Sequence, residues 1–267
     1  MSQIPVYILS HDSNSPRANQ VQSLFFHPLF LVNIVSISPP PGLQETPTLS
    51  LGDALEAYRI SWCLNHAREK YPDKYVIIVK DTSVSSASAD TIAEIISAAV
   101  TAKDWQVCYL CRWRDQCNLY SDKRPIEGTS SLLVKTKSPH GTQAIMFSPS
   151  GREIILGHAP MKNSQTFTPI TKPFEVQLNE AIANDWIDAT CIVPNLIEYD
   201  ITAAKSPDDY LKTHDCVPPP TPVPEPPVMN RQYQQNGISL WWFLLLIIIV
   251  LVILWLAARK SNFLSLR

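Results

Sequence analysis

Two rhythms of apolar and polar positions run through the amino-terminal two-thirds of the chain. Short apolar runs bounded by turn residues predict strands, and apolar positions three or four apart predict helices. Ile4 to Leu9 is the first such run and ends in a polar turn from Ser10 to Arg17. Ala18 to Leu29 reads as a helix with Val21, Leu24 and Phe25 on one face, and Phe30 to Ile37 as a second strand closed by Pro39, Pro40, Pro41 and Gly42. Ser50-Leu-Gly-Asp53 has the form of a capping box. The helix it opens carries Leu51, Leu55, Tyr58 and Trp62 at helical spacing, with Glu56, Arg59 and Arg68 mostly off that face, and ends near Tyr71-Pro72.

Tyr75 to Val79 is five consecutive apolar residues that stop at Lys80, Asp81 and Thr82. Such a run fits a strand buried on both faces. Asp90 opens a helix that turns Ile92, Ile95, Ile96 and Ala99 inward, and Trp105 to Leu110 is the next strand. Arg112 to Ser138 is polar and irregular and reads as a long loop. Gly141 to Phe147 is again strand-like, followed by Ser148-Pro-Ser-Gly151 and a short helix, Arg152 to Leu156. Phe174 to Leu178 leads into a helix reaching Asn184, and Thr190 to Val193 is a last strand broken by Pro194. Alternating strands and helices predict an α/β layer structure with a mostly parallel sheet flanked by helices.

The carboxy-terminal part differs in kind. Val217 to Val228 is rich in proline and predicts an extended spacer of about 3 Å per residue, on the order of 30 Å in all. A docking site for an SH3- or WW-type module is the alternative. Ile238 to Ala258 is an uncharged run of 21 residues, and about 20 apolar residues span a bilayer core. Trp241, Trp242 and Trp255 suit interfacial belts. The expected organisation is therefore a domain over residues 1–216, a stalk over 217–237, a transmembrane helix over 238–258 and a basic tail over 259–267.

Met1 to Ser10 has no basic n-region and does not read as a secretory signal. That predicts a tail-anchored protein, its partner the lipid bilayer, with its large domain in the cytosol. The positive-inside count disagrees, because Arg259, Lys260 and Arg267 follow the span while Arg231 and Glu225 precede it. The missing signal is given more weight, since only nine residues would have to cross. No Asn-X-Ser/Thr acceptor occurs, which agrees with that placement. A net charge of −2 gives no footprint of a nucleic-acid partner. Of the six cysteines, Cys108 and Cys111 have C-x-x-C spacing, but no second pair completes a zinc set. On a strand, residues three apart point to opposite faces. All six cysteines are thus expected to be reduced and structural.

Candidate chemistry gathers at strand ends. In open α/β sheets ligands bind beyond the carboxyl ends of parallel strands, which makes Asp81 a candidate ligand for a metal or polar substrate. A turn-capping role for Asp81 is the plainer reading. Asp12 and Arg17 follow the first strand, and an arginine there has the planar fork that grips a phosphate. It could equally be a solvated helix charge.

The order of segments from about Ile4 to Tyr199 resembles glycosyltransferase family 25, the lipopolysaccharide and procollagen galactosyltransferase group with a GT-A fold. The resemblance is carried by Val6-Tyr-Ile-Leu-Ser-His-Asp12 with Arg17, and by Leu51-Gly-Asp53 with Trp62. Gly141 to Gly151, Pro173-Phe-Glu-Val-Gln-Leu178 and Val193-Pro-Asn-Leu-Ile197 continue it. It implies a GT-A-like (Rossmann-like) sheet and transfer of a hexose from a UDP-sugar donor to a glycan or protein acceptor, with a divalent metal (manganese or magnesium). It also implies roles: Asp12, Arg17 and Lys80 toward the nucleotide, Asp81 toward sugar or metal, and Glu175 as acid or base beside the acceptor.

The chain departs from that family where the chemistry lies. Where the family carries an acidic triplet, this chain has Lys80-Asp81-Thr82, and Arg59-Ile60 stand in place of its Ser-His pair. Lys80 could supply charge in a metal-free variant. The competing expectation is an inactive glycosyltransferase-fold protein, a pseudoenzyme with a structural or adaptor role in a membrane assembly such as that of a large virus.

Overall fold

The computed structural model describes residues 3–168 and 172–204, together with Asp209, Lys212 and Cys216. The expected stalk beyond Cys216, the transmembrane run and the basic tail lie outside the described residues. Among the described residues no helix is long and apolar enough to cross a membrane.

Among the described residues, ten strands and five α-helices follow in chain order. They are β1 (Ile4–Leu9), α1 (Pro16–Leu24), β2 (Phe30–Val35), α2 (Leu51–Lys70), β3 (Val76–Lys80), β4 (Ser83–Val84), α3 (Ala89–Ala102) and β5 (Val107–Trp113). The second half holds β6 (Ser121–Pro125), β7 (Leu132–Lys135), β8 (His140–Phe147), α4 (Pro149–Ile155), α5 (Phe174–Ala183), β9 (Ala189–Val193) and β10 (Glu198–Tyr199). Eight strands form one sheet in the order β2-β1-β3-β8-β5-β9-β7-β6, and β4 pairs with β10 separately. Helices cover both faces. Ala18 and Val21 of α1, Phe25 just after it, and Ile92, Ile95 and Ile96 of α3 pack on Val6, Ile8, Ile77 and Val79. On the other face Ala57, Ile60, Leu64 and Ala67 of α2, with α4 and α5, pack on Tyr7, Ile78, Tyr109 and Phe147. The central strands alternate between two buried faces, which is why Val76 to Val79 reads as unbroken apolar sequence. Each fully buried Leu, Ile or Phe contributes roughly 1.5–3 kcal/mol.

Five expectations are corrected. The sheet is mixed: β1 pairs parallel with β2 and β3, and β5 with β9, but β8 runs antiparallel to both β3 and β5, and β7 to β6 and β9. The reversal arises because β5 is followed by a β6–β7 hairpin excursion rather than a crossover helix, and β8 then enters from the opposite end. That excursion is itself the second correction. The polar stretch read as a loop contains β6 and β7: β6 is polar and largely exposed at the edge of the sheet, and β7 buries Leu133 and Val134.

Third, α2 buries a different face from the one its large residues suggested. Leu51 and Trp62 are exposed, while Ala54, Ala57, Ile60, Cys63, Leu64 and Ala67 are buried. Small side chains let the helix lie close to the sheet, so size rather than hydrophobicity sets its orientation. Fourth, Cys108 and Cys111 lie on the same face, because register shifts on either side of Cys111 place a bulge in β5. Fifth, Cys117 is disulfide-bonded to Cys216, 99 residues away. The other four cysteines are buried and form no disulfide. The expected capping box is present: Ser50 Oγ accepts the Asp53 N–H at 3.1 Å and donates to the Asp53 carboxylate at 2.6 Å.

Candidate functional site at the strand edge

Because β1 and β3 are parallel with Leu9 opposite Lys80, their carboxyl ends open on the same side. The Asp81 N–H continues the pairing to the Leu9 carbonyl at 3.0 Å. Ser10 Oγ donates to Asp81 Oδ2 at 2.6 Å, fixing the carboxylate beside the turn that leads to Arg17. The antiparallel direction of β8 brings its first residues to this same edge, so Thr142 and Gln143 join the site. Gln143 Nε2 donates to Thr82 Oγ1 at 2.9 Å and to Ser83 Oγ at 2.8 Å.

Lys80 forms the centre. Its Nζ donates to Glu56 Oε2 and to Thr142 Oγ1, each at 2.8 Å. Thr142 Oγ1 in turn donates to Glu56 Oε1, closing a triangle. The two charged side chains are only 26% and 29% exposed. Burial pushes the Glu56 carboxyl up, but Lys80 and the Thr142 hydroxyl outweigh it and hold the group below its ordinary value of 4.5. Glu56 stays ionised, and the Lys80 charge is compensated inside the protein.

Two cavities adjoin at this triangle and share Glu56, Lys80 and Thr82. One, of about 580 Å³, reaches Trp113, Glu175 and Tyr199. The other, of about 370 Å³, reaches Ser10, His11, Arg17, Arg59 and Asp81. In the larger cavity Glu175 lies in the first turn of α5, 3.3 Å from His140 Nδ1. Lys212 lies over the rings of Tyr199 and Trp113, 4.8 and 5.8 Å from their centroids, and pairs with Asp209. The Trp113 ring is seated on Gly141, where φ is +111° and an added Cβ would lie 2.8 Å from the ring.

The structure therefore brings Arg17, Lys80, Asp81 and Glu175 to one edge, in two compartments. Asp12 is outside both: its carboxylate accepts the Asn14 N–H at 2.9 Å and closes the turn after β1. Glu56, Thr142, Trp113 and Tyr199 are not among the site candidates read from the sequence, and Arg59 enters there only as a departure from the family's Ser-His pair. The placement of Glu56 and Arg59 off the large-residue face of α2 is the one local signal of them.

The described residues do not by themselves form a divalent-ion site. Among the described residues no group of three or more His, Cys, Asp or Glu side chains is placed to hold one. Asp81 is a single carboxylate with one oxygen taken by Ser10, next to a lysine. Hard cations need several oxygen ligands.

No family model matches the sequence, and no curated protein matches it. Among solved structures, the chain shows structural similarity to A197 from STIV, known from a crystal structure. The two are 11% identical with a TM-score of 0.37, over 73% of this chain and 83% of that one. A likeness so distant carries no inference about chemistry.

Proposed function

We propose that this chain is a membrane-anchored, glycosyltransferase-like protein of GT-A type that binds a UDP-sugar at the β1–β3 edge without metal-dependent transfer. In this reading it works as a binding or adaptor module of a membrane assembly. The carrying observation is the Lys80–Glu56–Thr142 triangle. Metal-assisted transfer needs positive charge free to stabilise the departing diphosphate. Lys80 stands where that charge would be needed, and Glu56 already neutralises it. Two cavities of different character support a ligand with two unlike ends. The compartment holding Arg17 and Arg59 suits the phosphates, and the one holding Trp113, Tyr199 and Glu175 suits a polyhydroxyl group stacked on a ring. Asp81 lines the compartment of Arg17 and Arg59, next in sequence to the Lys80 that both compartments share, and would face the sugar at that junction.

Calorimetry on the full chain in detergent, with UDP-glucose and UDP-galactose, tests the reading. Binding is expected with the same affinity in chelator and in manganese, weakened in Asp81→Ala, and with no release of UDP over hours. Manganese-dependent UDP release would establish ordinary transfer instead. No binding of either nucleotide sugar would leave the scaffold role without its ligand.

A further inference from the structure

We infer that the Cys117–Cys216 disulfide is a redox switch: it holds Lys212 over the rings of Trp113 and Tyr199, and its reduction opens the larger cavity. The inference rests on the proposed function only for the identity of the ligand that stacks on those rings. Lys212 and Asp209 belong to the wall of that cavity. The Lys212 ammonium lies 4.8 Å from the Tyr199 centroid and 5.8 Å from the Trp113 centroid, so the rings a ligand would stack on already carry a side chain of the protein itself. Both rings are fixed without the disulfide. Trp113 ends β5. Tyr199 pairs with Ser83 of β4, and the Asp200 N–H beside it donates to the Thr82 carbonyl at 2.8 Å.

Lys212 is tied differently. Its ion pair with Asp209 is local, within one segment, whereas the covalent tie is at Cys216, four residues further on. Trp113 likewise stands four residues before Cys117. The bridge between Asp115 and Cys216 is parallel, which brings the residues ahead of both cysteines to the same side, Lys212 beside Trp113. A contact made by a tethered group has a high effective concentration, which falls when the tether is cut. Cation–ring attraction alone is weak at a partly exposed site. The disulfide is open to exchange at one end, since Cys216 is exposed and Cys117 half-buried. A dithiol reductant attacks Cys216 Sγ as its thiolate, forming a mixed disulfide as the Cys117–Cys216 bond breaks and Cys117 leaves as thiolate. The second thiol of the reductant then displaces Cys216. Two electrons pass to the protein, the reductant ends as a cyclic disulfide, and its two protons end on Cys117 and Cys216. The Tyr120 hydroxyl lies 3.2 Å from Cys117 Sγ and accepts the Arg112 Nε–H at 2.6 Å. A hydroxyl backed by a guanidinium stabilises the departing thiolate, which favours exchange at this bond.

Nuclear magnetic resonance of the full chain in detergent, with carbon-13-labelled lysine, tests the switch. In the oxidised protein the Lys212 ε-methylene signal, identified by its absence in Lys212→Arg, is expected upfield of the other lysines because it lies over two rings. A dithiol reductant, added well below the thermal midpoint, should return it to the common lysine position while far-ultraviolet circular dichroism stays unchanged. Cys216→Ser should show it there without reductant. UDP-glucose should gain about two- to thirtyfold in affinity on reduction, the range for removing one cation–ring contact. Lys212→Ala should bind as the reduced wild type in either redox state. It keeps the disulfide, so its gain separates the contact from any loosening of the fold. A Lys212 signal that stays upfield after thiol counting shows full reduction would overturn the inference. So would a UDP-glucose affinity that is unchanged once Lys212 is released, or a gain on reduction that persists in Lys212→Ala. Release of Lys212 with no UDP-hexose bound in either state would keep the switch and overturn the nucleotide-sugar reading.

Discussion

Glu56 shows how one side chain decides the character of the edge. Its carboxylate holds Lys80 and Thr142 together at a position where water is only partly admitted. Glu56→Gln leaves the Lys80 ammonium without a counter-charge, and an expected loss of about 1–3 kcal/mol follows. The pH dependence has a fixed sign. A carboxyl whose folded value lies below its ordinary 4.5 contributes its stability above that pH and loses it as pH falls through the folded value. Urea unfolding should therefore show a constant gap between wild type and Glu56→Gln from pH 7 to pH 5. The gap should close only at more acid pH. A gap that closes near neutrality would mean that Glu56 is not held ionised by Lys80.

Among the elements, the end of β5 is fastened by a buried polar network. Arg112 and Asp115 are 1% and 0% exposed and lie 3.6 Å apart. Asp115 accepts the Thr136 hydroxyl at 2.6 Å and the Gln116 N–H at 2.8 Å. Arg112 donates to Asn195 and to the Tyr120 hydroxyl. The network joins β5, the turn after β7 and the loop after β9, which are not neighbours in sequence. It also sets the direction of Trp113, and through it one wall of the larger cavity. Asp115→Ala leaves a buried guanidinium without its carboxylate, and stability is expected to fall by about 3–5 kcal/mol in urea melts. A fall below about 1 kcal/mol would show that the network only fills space. The polar stretch from Arg112 to Ser138 hid this arrangement, since its charges look solvated until the partners are brought together.

For the molecule as a whole, the Cys117–Cys216 pairing ties the excursion after β5 to the end of the described chain. A loop of this length stabilises by about 4–5 kcal/mol on chain entropy. Reductant should lower the thermal midpoint by about 8–20 °C at a typical 2–4 °C per kcal/mol, and Cys216→Ser should show the same fall without reductant. Disulfides persist in oxidising surroundings, which sets the pairing against the cytosolic placement expected from the amino terminus. Protease protection in intact vesicles decides between them. Local pattern alone determined the strand at Tyr75 to Val79, the capped helix at Ser50, the helix opening near Asp90, and the α/β class, because burial on two faces and capping leave marks within a few residues. It placed Arg17, Lys80, Asp81 and Glu175 near strand and helix ends for the same reason. Only the tertiary structure decided the direction of β8, the buried face of α2 and the partners of Lys80 and Cys117. Those depend on which distant segments meet, and neither the size of a side chain nor its charge records its partner along the chain.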